Sequence, residues 1–441
     1  MAAGSARKLF GTDGVRGVAG EFLTAELALA LARAATARVG TGRVRALVVR
    51  DTRESGDMLE AAVAAGIAAA GGEALLGGVA PTPAAPLLIG RHGFDLGVVI
   101  SASHNLYRDN GVKFFGPDGF KLDDRAELEI EAGLELPATA PAHPGRVRPL
   151  PGTLEDYLHA LHERFADLDL RGRRVLLDCA HGATFRAGPE IFRRLGADVE
   201  VLAAAPDGRN INAGCGSTHV EPLQAAMRAG GHDVGFAFDG DGDRMLAVDR
   251  HGAIVDGDEL IALAALHRHR RDQLPGGGVA VTVMTNFGFH AAMREHGIEV
   301  ATTPVGDRYV LEALRERRWA LGGEQSGHII DMGFAPSGDG IAAALLTLEA
   351  LEGGDLADRH AMEKLPQVLL NVRLPDRAAL EHAVARVGEH VAREAGRLEG
   401  RGRVLVRPSG TEPLVRVMVE APTAEEAQAA CERLVAAVQE G

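Results

Sequence analysis

Apolar and polar positions along this chain sort it into four successive units. Ala46–Val49, Ala74–Val79 and Val98–Ile100 are short continuous apolar runs, the pattern of strands buried on both faces. Helical stretches separate them. One runs from Thr24, a residue type that caps helix N-termini, to about Val39; another is Asp57–Ala70, closed by Gly71–Gly72. Pro81–Thr82–Pro83 opens a third. Alternation of this kind predicts a wound, mainly parallel sheet. Residues 137–152, rich in Pro with Ala and Gly, read as a linker.

Two further units repeat the pattern. Arg174–Asp178, Val199–Leu202 and Asp233–Phe238 read as strands around a helix at Phe185–Leu195. Val279–Val283 and Ile298–Thr303 follow, with helices at Phe287–His296, up to Arg317, and at Ile341–Leu351. The last unit differs: strand Gln367–Arg373, helix Arg377–Arg393, strands Val404–Val406 and Leu414–Val419, helix Ala424–Val438. That order predicts an antiparallel sheet with helices on one face. The expected fold is three related mixed α/β domains, 1–150, 151–256 and 257–365, then a smaller α+β domain, 366–441.

Composition narrows the class. At 441 residues the chain exceeds one ordinary domain, and its 46% apolar content suffices for several cores. The formal charge of −14, with no basic run, argues against nucleic acid and means that an anionic substrate needs a locally positive pocket. No apolar run reaches membrane-spanning length, and Met1–Lys8 lacks an apolar signal core, so neither membrane nor export is expected. Cys179, Cys215 and Cys431 lie far apart without metal spacing, which fits a reducing, cytoplasmic setting, with Cys215 a packed thiol.

Chemistry collects in loops at the ends of apolar runs. Phe10–Gly17, FGTDGVRG, is a glycine-rich loop that matches neither a dinucleotide nor a Walker pattern. Val98–Ile100 releases Ser101–Ala102–Ser103–His104–Asn105, with Lys113 in the next apolar patch. Asp239–Arg244, DGDGDR, sets carboxylates at alternate positions, which share one side of extended backbone and call for a hard cation such as Mg²⁺ or Ca²⁺. An EF-hand is excluded, since its glycine and glutamate positions hold Arg244 and Arg250. Gly322–His328, GGEQSGH, presents Glu324, Ser326 and His328, groups suited to sugar hydroxyls. Arg407–Arg416, RPSGTEPLVR, combines two guanidinium groups with Ser409, Gly410 and Thr411, a phosphate cradle. Together these loops describe phosphoryl transfer on a phosphosugar.

In order and nearly end to end, FGTDGVRG, ISASHN, DGDGDR, VGDRYV, GGEQSGH and RPSGTEPLVRVMVE closely resemble the motifs of the α-D-phosphohexomutase superfamily, in its amino-sugar form. The resemblance implies a heart-shaped, four-domain enzyme around a central cleft. It implies interconversion of glucosamine 6-phosphate and glucosamine 1-phosphate through a phosphoserine and a 1,6-bisphosphate, feeding UDP-N-acetylglucosamine synthesis. It selects Ser103 over Ser101 as phosphoryl carrier and completes a Mg²⁺ shell of Ser103, Asp239, Asp241 and Asp243. It favours Lys113 for the proton role, with His328 second, and places His104, Arg16 and Arg244 near the phosphoserine. Arg407, Ser409, Gly410, Thr411 and Arg416 would hold the idle phosphate, and Glu324 and Ser326 the sugar. A glucosamine 1,6-bisphosphate or similar activator, or a kinase, would load the serine. Leu106 and Ser337 depart from the family, where Pro and Thr are frequent.

Three other readings stay open: a sister enzyme for mannose or glucose phosphates, a non-catalytic phosphosugar-binding module, and a metal-dependent phosphatase. Gln325 in the sugar loop separates the first, tolerance of Asp241→Asn the second, and stoichiometric phosphate release the third.

Overall fold

The structure is a computed structural model that describes residues 9–11, 13–40, 43–135, 141, 143–408 and 413–439. Its first sheet holds β1 (Val15–Val18), β2 (Arg45–Arg50), β3 (Glu73–Val79), β4 (Leu96–Ile100), β5 (Asp109–Phe115) and β6 (Arg146–Pro149), in the order β1-β5-β4-β2-β3-β6. β2, β3, β4 and β6 run parallel, while β5 runs antiparallel to β4 and β1 antiparallel to β5. Helices Ala25–Val39 and Gly56–Ala69 pack against it, bringing Ala28, Ala32 and Ala35 close to Ala62 and Val63 in one core. Small side chains let the helix axes approach closely. Thr24 caps the first of these helices by accepting from the Leu27 amide at 3.2 Å.

The sequence reading is corrected at residues 137–152. That stretch is not only a linker: Arg146–Pro149 forms β6, parallel to Glu73–Leu76. All four residues are exposed, so no apolar face announces the strand, and Pro149 is tolerated because β6 lies at the edge. Residues 136–140 and 142 lie outside the described residues.

The second sheet runs β11-β10-β9-β7-β8, from β7 (Arg174–Asp178), β8 (Asp198–Leu202), β9 (Val234–Phe238), β10 (Met245–Asp249) and β11 (Ile254–Val255). The third runs β13-β12-β14-β15, from β12 (Gly278–Thr282), β13 (Glu299–Thr303), β14 (Leu321–Gly323) and β15 (Ile329–Asp331). Helix Gly257–Arg270 begins with a capping box between Asp256 and Glu259. The fourth sheet is antiparallel, β16 (Gln367–Arg373), β18 (Leu414–Glu420) and β17 (Arg403–Pro408) in that order. Val415, Val417 and Val419 share a core with residues of helices Arg377–Arg397 and Ala424–Gln439. The mixed α/β and α+β expectation therefore holds. Helices Asp124–Leu134, Thr153–Arg164, Glu221–Ala229 and Gly257–Arg270 are additional to those read from periodicity.

Two compact units emerge. One comprises Met1–Val283 with Val300–Arg359, the other Met284–Glu299 with His360–Gly441. In the second, helix Phe287–Glu295 meets the fourth sheet, its first amide donating to Glu420 Oε2 at 2.8 Å. Among the described residues no helix is long and apolar enough to cross a membrane.

Candidate active site

β4 ends at Ile100 and releases the serine loop. Ser103 is buried, and its hydroxyl donates to Asp239 Oδ2 at 2.6 Å and lies 3.3 Å from His104 Nδ1. The Ser101 hydroxyl turns elsewhere, donating to Asp51 Oδ2 at 2.6 Å. The two serines thus take different work: Ser103 faces the carboxylates and Ser101 is tied into the scaffold.

The carboxylate loop joins β9 to β10, which are antiparallel partners. Here the structure corrects the reading of Asp239–Asp243 as extended backbone. The segment is a tight turn: the Gly242 amide donates to the Asp239 carbonyl at 3.1 Å, and Gly242 has a φ of +76°. Curling, not strand alternation, converges the three carboxylates, one oxygen of each lying within 4.8 Å of the others. Backbone donors from three regions fix the loop. Ala183 N–H reaches Gly240 O at 2.8 Å, Thr82 N–H reaches Asp241 O at 2.8 Å and Gly340 N–H reaches Gly242 O at 2.9 Å. Gly240 must lack a side chain, because a Cβ there would sit 2.7 Å from Ser103 O.

The electrostatics of the turn call for a cation. Burial, reinforced by Asp243 and Asp241, pushes the Asp239 carboxyl well above its ordinary value. Asp241 Oδ2 accepts from Lys113 Nζ and Thr82 Oγ1, each at 2.8 Å. Asp241 Oδ1 and Asp243 Oδ1 are buried with no hydrogen-bond partner. Orphaned, buried, anionic oxygens on one turn fit a hard divalent ion such as Mg²⁺.

Cations surround the triad. Lys113, on β5, is fully buried with Nζ 2.8 Å from Asp241 and 3.0 Å from Asp13. Burial lowers its proton affinity, but those two carboxylates overcome the effect and raise it. Lys113 is thus a held cation, suited to charge compensation and proton donation more than to abstraction. Asp13 also pairs with Arg16 and Lys121, and Lys121 reaches Asp307 at 2.5 Å. Arg244 lies 3.7 Å from Asp243 and 3.4 Å from His104 Nδ1. Burial, then Arg244 and Arg16, lowers the His104 pKa, which disfavours the charged ring.

His328 enters from the glycine-rich loop between β14 and β15. Its Nδ1 is 3.7 Å from Asp243, and Gly338 N–H donates to Nε2 at 3.2 Å. Gly338 lies so close that a Cβ would come within 2.5 Å of the ring. Glu324 is buried, one oxygen accepting from Gly306 N–H at 3.0 Å, whereas Ser326 is exposed. Arg407 and Arg416 belong to the second compact unit, where they are direct cross-strand partners on β17 and β18. Ser409, Gly410 and Thr411 lie outside the described residues.

Sequence reasoning missed Asp51, Arg53, Thr82, Lys121, Asn212 and Asp307, and left Asp13 without a role. A signal existed for Asp51 and Arg53, since both follow a buried strand. β2 and β4 are parallel neighbours, so the turns leaving them emerge side by side. Lys121 and Asp307 carry no such mark.

The fold agrees with what is found in other proteins. Phosphoglucomutase/phosphomannomutase family models match in succession: alpha/beta/alpha domain I over residues 7–138, domain II over 155–252, domain III over 256–367 and the C-terminal domain over 369–437. Phosphoglucosamine mutase of Desulforudis audaxviator is 51% identical over 428 residues, covering 94% of each chain. That of Moorella thermoacetica is 51% identical over 430 residues, covering 95% of this chain and 96% of its own. Among solved structures, a phosphoglucomutase/phosphomannomutase family protein from Burkholderia thailandensis shares the fold at a TM-score of 0.82 with 24% identity, over 99% of this chain and 98% of its own. N-acetylphosphoglucosamine mutase of Aspergillus fumigatus, in complex with GlcNAc-6P and magnesium, aligns at 0.69 with 18% identity, over 99% and 96%. With four consecutive domains matched and relatives at about half identity along both full lengths, the chain belongs to the phosphoglucomutase/phosphomannomutase family, the α-D-phosphohexomutases, alongside the phosphoglucosamine mutases.

Proposed function

We propose that this chain interconverts glucosamine 6-phosphate and glucosamine 1-phosphate, using Ser103 as phosphoryl carrier. The observation that carries the chemistry is the Ser103 hydroxyl 2.6 Å from Asp239, within a buried triad of carboxylates. The choice of amino sugar rests on the relatives, which are phosphoglucosamine mutases at 51% identity over nearly the full chain.

In the first half-reaction the P–O bond to Ser103 breaks as a bond forms to the free sugar hydroxyl; Lys113 gives a proton to the departing Ser103 oxygen and regains one from that sugar hydroxyl. The resulting 1,6-bisphosphate turns over in the site, and its other phosphate returns to Ser103. Arg16 Nε and Arg244 Nε are buried without hydrogen-bond partners and are available to donate to phosphoryl oxygens. His104 sits beside Ser103, where it can steady the phosphoryl group, and Lys113 offsets the charge of Asp13 and Asp241 and donates a proton to a leaving oxygen. His328 braces Asp243. Glu324 and Ser326 hold sugar hydroxyls, and Arg407, Ser409, Gly410, Thr411 and Arg416 the phosphate that is not reacting.

Asp239, Asp241, Asp243 and the Ser103 oxygen would hold Mg²⁺. Bound there, it would neutralise charge on the transferring group. The A. fumigatus enzyme is described with magnesium, and a Ser-to-Ala form of it with glucose 1,6-bisphosphate. A sugar bisphosphate activator, with a kinase as the other source of the first phosphoryl group, belongs to this reading. So does a cytoplasmic setting, with Cys179, Cys215 and Cys431 all buried and unbridged. Functional regions divided after residues 150, 256 and 365 follow the succession of loops.

Turnover decides the substrate. Protein with Mg²⁺ and trace sugar bisphosphate is given glucosamine, glucose and mannose 6-phosphates separately, and each 1-phosphate is followed. Strong preference for glucosamine is expected. Preference for glucose or mannose would overturn the substrate while leaving the serine chemistry standing.

A further inference from the structure

Ser103 adopts a backbone φ of +51°, a left-handed conformation that costs an L-residue about 1–2 kcal/mol. The surroundings hold it there from both sides of the residue. Its N–H donates to Ser101 Oγ at 3.0 Å, and Ser101 is itself anchored on Asp51. Its carbonyl accepts twice, from an Arg53 terminal nitrogen at 2.8 Å and from Asn212 Nδ2 at 2.9 Å. The same two donors take the Asn105 carbonyl, at 2.8 and 2.9 Å. The other terminal nitrogen of Arg53 takes Leu106 O at 2.5 Å, and its Nε is held by Asp51 Oδ2 at 2.9 Å.

Resting on the reading of Ser103 as phosphoryl carrier, we propose that Arg53 and Asn212 are positioning residues. They form a guanidinium–amide clamp on the Ser103 and Asn105 carbonyls that fixes the left-handed bend and so aims Oγ at the carboxylate triad. A serine side chain has one rotatable bond before its oxygen, so the backbone decides where that oxygen goes. Arg53 suits the task because its planar fork serves three carbonyls and one carboxylate at once, which an ammonium does not. Its pairing with Asp51, both fully buried, leaves the clamp near electrical neutrality. It should therefore steer geometry without altering the attraction for anionic substrate. Arg53 comes from the turn after β2 and Asn212 from the loop preceding Cys215, so two α/β regions together complete the nucleophile's setting.

The test uses the full-length, Mg²⁺-loaded protein with Ser103 phosphorylated, as Arg53→Lys and Asn212→Gly. Asn212 itself has a φ of +58°, which glycine adopts freely, so that variant deletes the amide without straining the turn. Single-turnover transfer to glucosamine 6-phosphate should slow about 100-fold in Arg53→Lys and about 10-fold in Asn212→Gly, the scale expected of a misplacement near 1 Å. KM should stay within about threefold and the pH–rate profile should keep its position, since no charge near the substrate changes. Transfer within about threefold of wild type in Asn212→Gly, or a loss expressed mainly in KM, overturns the clamp. Should Arg53→Lys fail to fold, Asn212→Gly decides. Ser103→Ala separates the two levels of inference. Turnover by that variant would overturn the phosphoserine reading, whereas an inactive Ser103→Ala beside unimpaired clamp variants would overturn only the clamp.

Discussion

Replacing Lys113 with methionine removes an ammonium group while keeping most of its stem, and the consequence can be worked from the ion pairs it makes. Nζ lies 2.8 Å from Asp241 and 3.0 Å from Asp13, in full burial. Breaking a buried pair by deleting one partner costs about 3–5 kcal/mol, because the other charge stays buried. The loss falls unevenly here. Asp13 keeps Arg16 and Lys121, but Asp241 is left with the Thr82 hydroxyl alone among its side-chain partners. We therefore expect the lower end, about 3 kcal/mol, read as a fall of roughly 4 °C in the melting temperature of the larger unit. Mg²⁺ should recover more stability in the variant than it adds to wild type, since the variant's carboxylates have lost a competing cation. In wild type the Lys113 contribution is fully present below the ordinary lysine pKa and is lost as pH rises through its higher folded value. Thermal melts with and without Mg²⁺ measure all of this. A variant melting within about 2 °C of wild type, with an equal Mg²⁺ increment, would refute the view of Lys113 as an obligatory countercharge.

Two further outcomes are expected. Ser103→Ala should abolish isomerisation while leaving the melting temperature within about 2 °C, because its side chain makes few contacts besides Asp239; wild-type-like turnover in a clean preparation would end the covalent mechanism. Tyr157→Phe removes the hydroxyl that lies 2.9 Å from both Asp339 oxygens. Burial holds the Asp339 pKa up at about 6, so its ionised form is disfavoured in the folded state and stability falls as pH rises from the ordinary carboxyl value through 6. Without the hydroxyl the charged form loses a donor, and the deficit should widen from about 1 kcal/mol near pH 5 to about 2 kcal/mol near pH 8 in urea unfolding. A deficit that ignores pH would sink the assignment.

Local pattern carried much of the fold. Buried strands such as Leu96–Ile100 and Val234–Phe238 have every residue buried, and runs of that kind stand out in sequence. Edge strand Arg146–Pro149 has no buried residue and could not be seen that way. The site divides along similar lines. Ser103, Lys113, Asp239, Asp241 and Asp243 sit on or beside apolar strands and could be singled out as candidates, although the choice of Ser103 over Ser101 came from the family resemblance. The turn that gathers the carboxylates was misread, because alternation in sequence looks alike in a strand and in a hairpin until Gly242 takes positive φ. Lys121 and Asp307 meet across 186 positions, and Thr82 and Asp241 across 159, distances over which periodicity says nothing.

The carbonyls of the DGDGDR turn have a consequence for how metal affinity should be understood. Gly240, Asp241 and Gly242 each give their carbonyl to an amide from a different stretch of chain, Ala183, Thr82 and Gly340. Those oxygens already accept hydrogen bonds, so a bound ion would meet the turn through its carboxylates, and their spacing depends on all three stretches being docked. Affinity for the ion then becomes a gauge of assembly. Any substitution that loosens one of these stretches from the turn, however far from the ligands, should register first as weaker metal retention, before the regions themselves unfold.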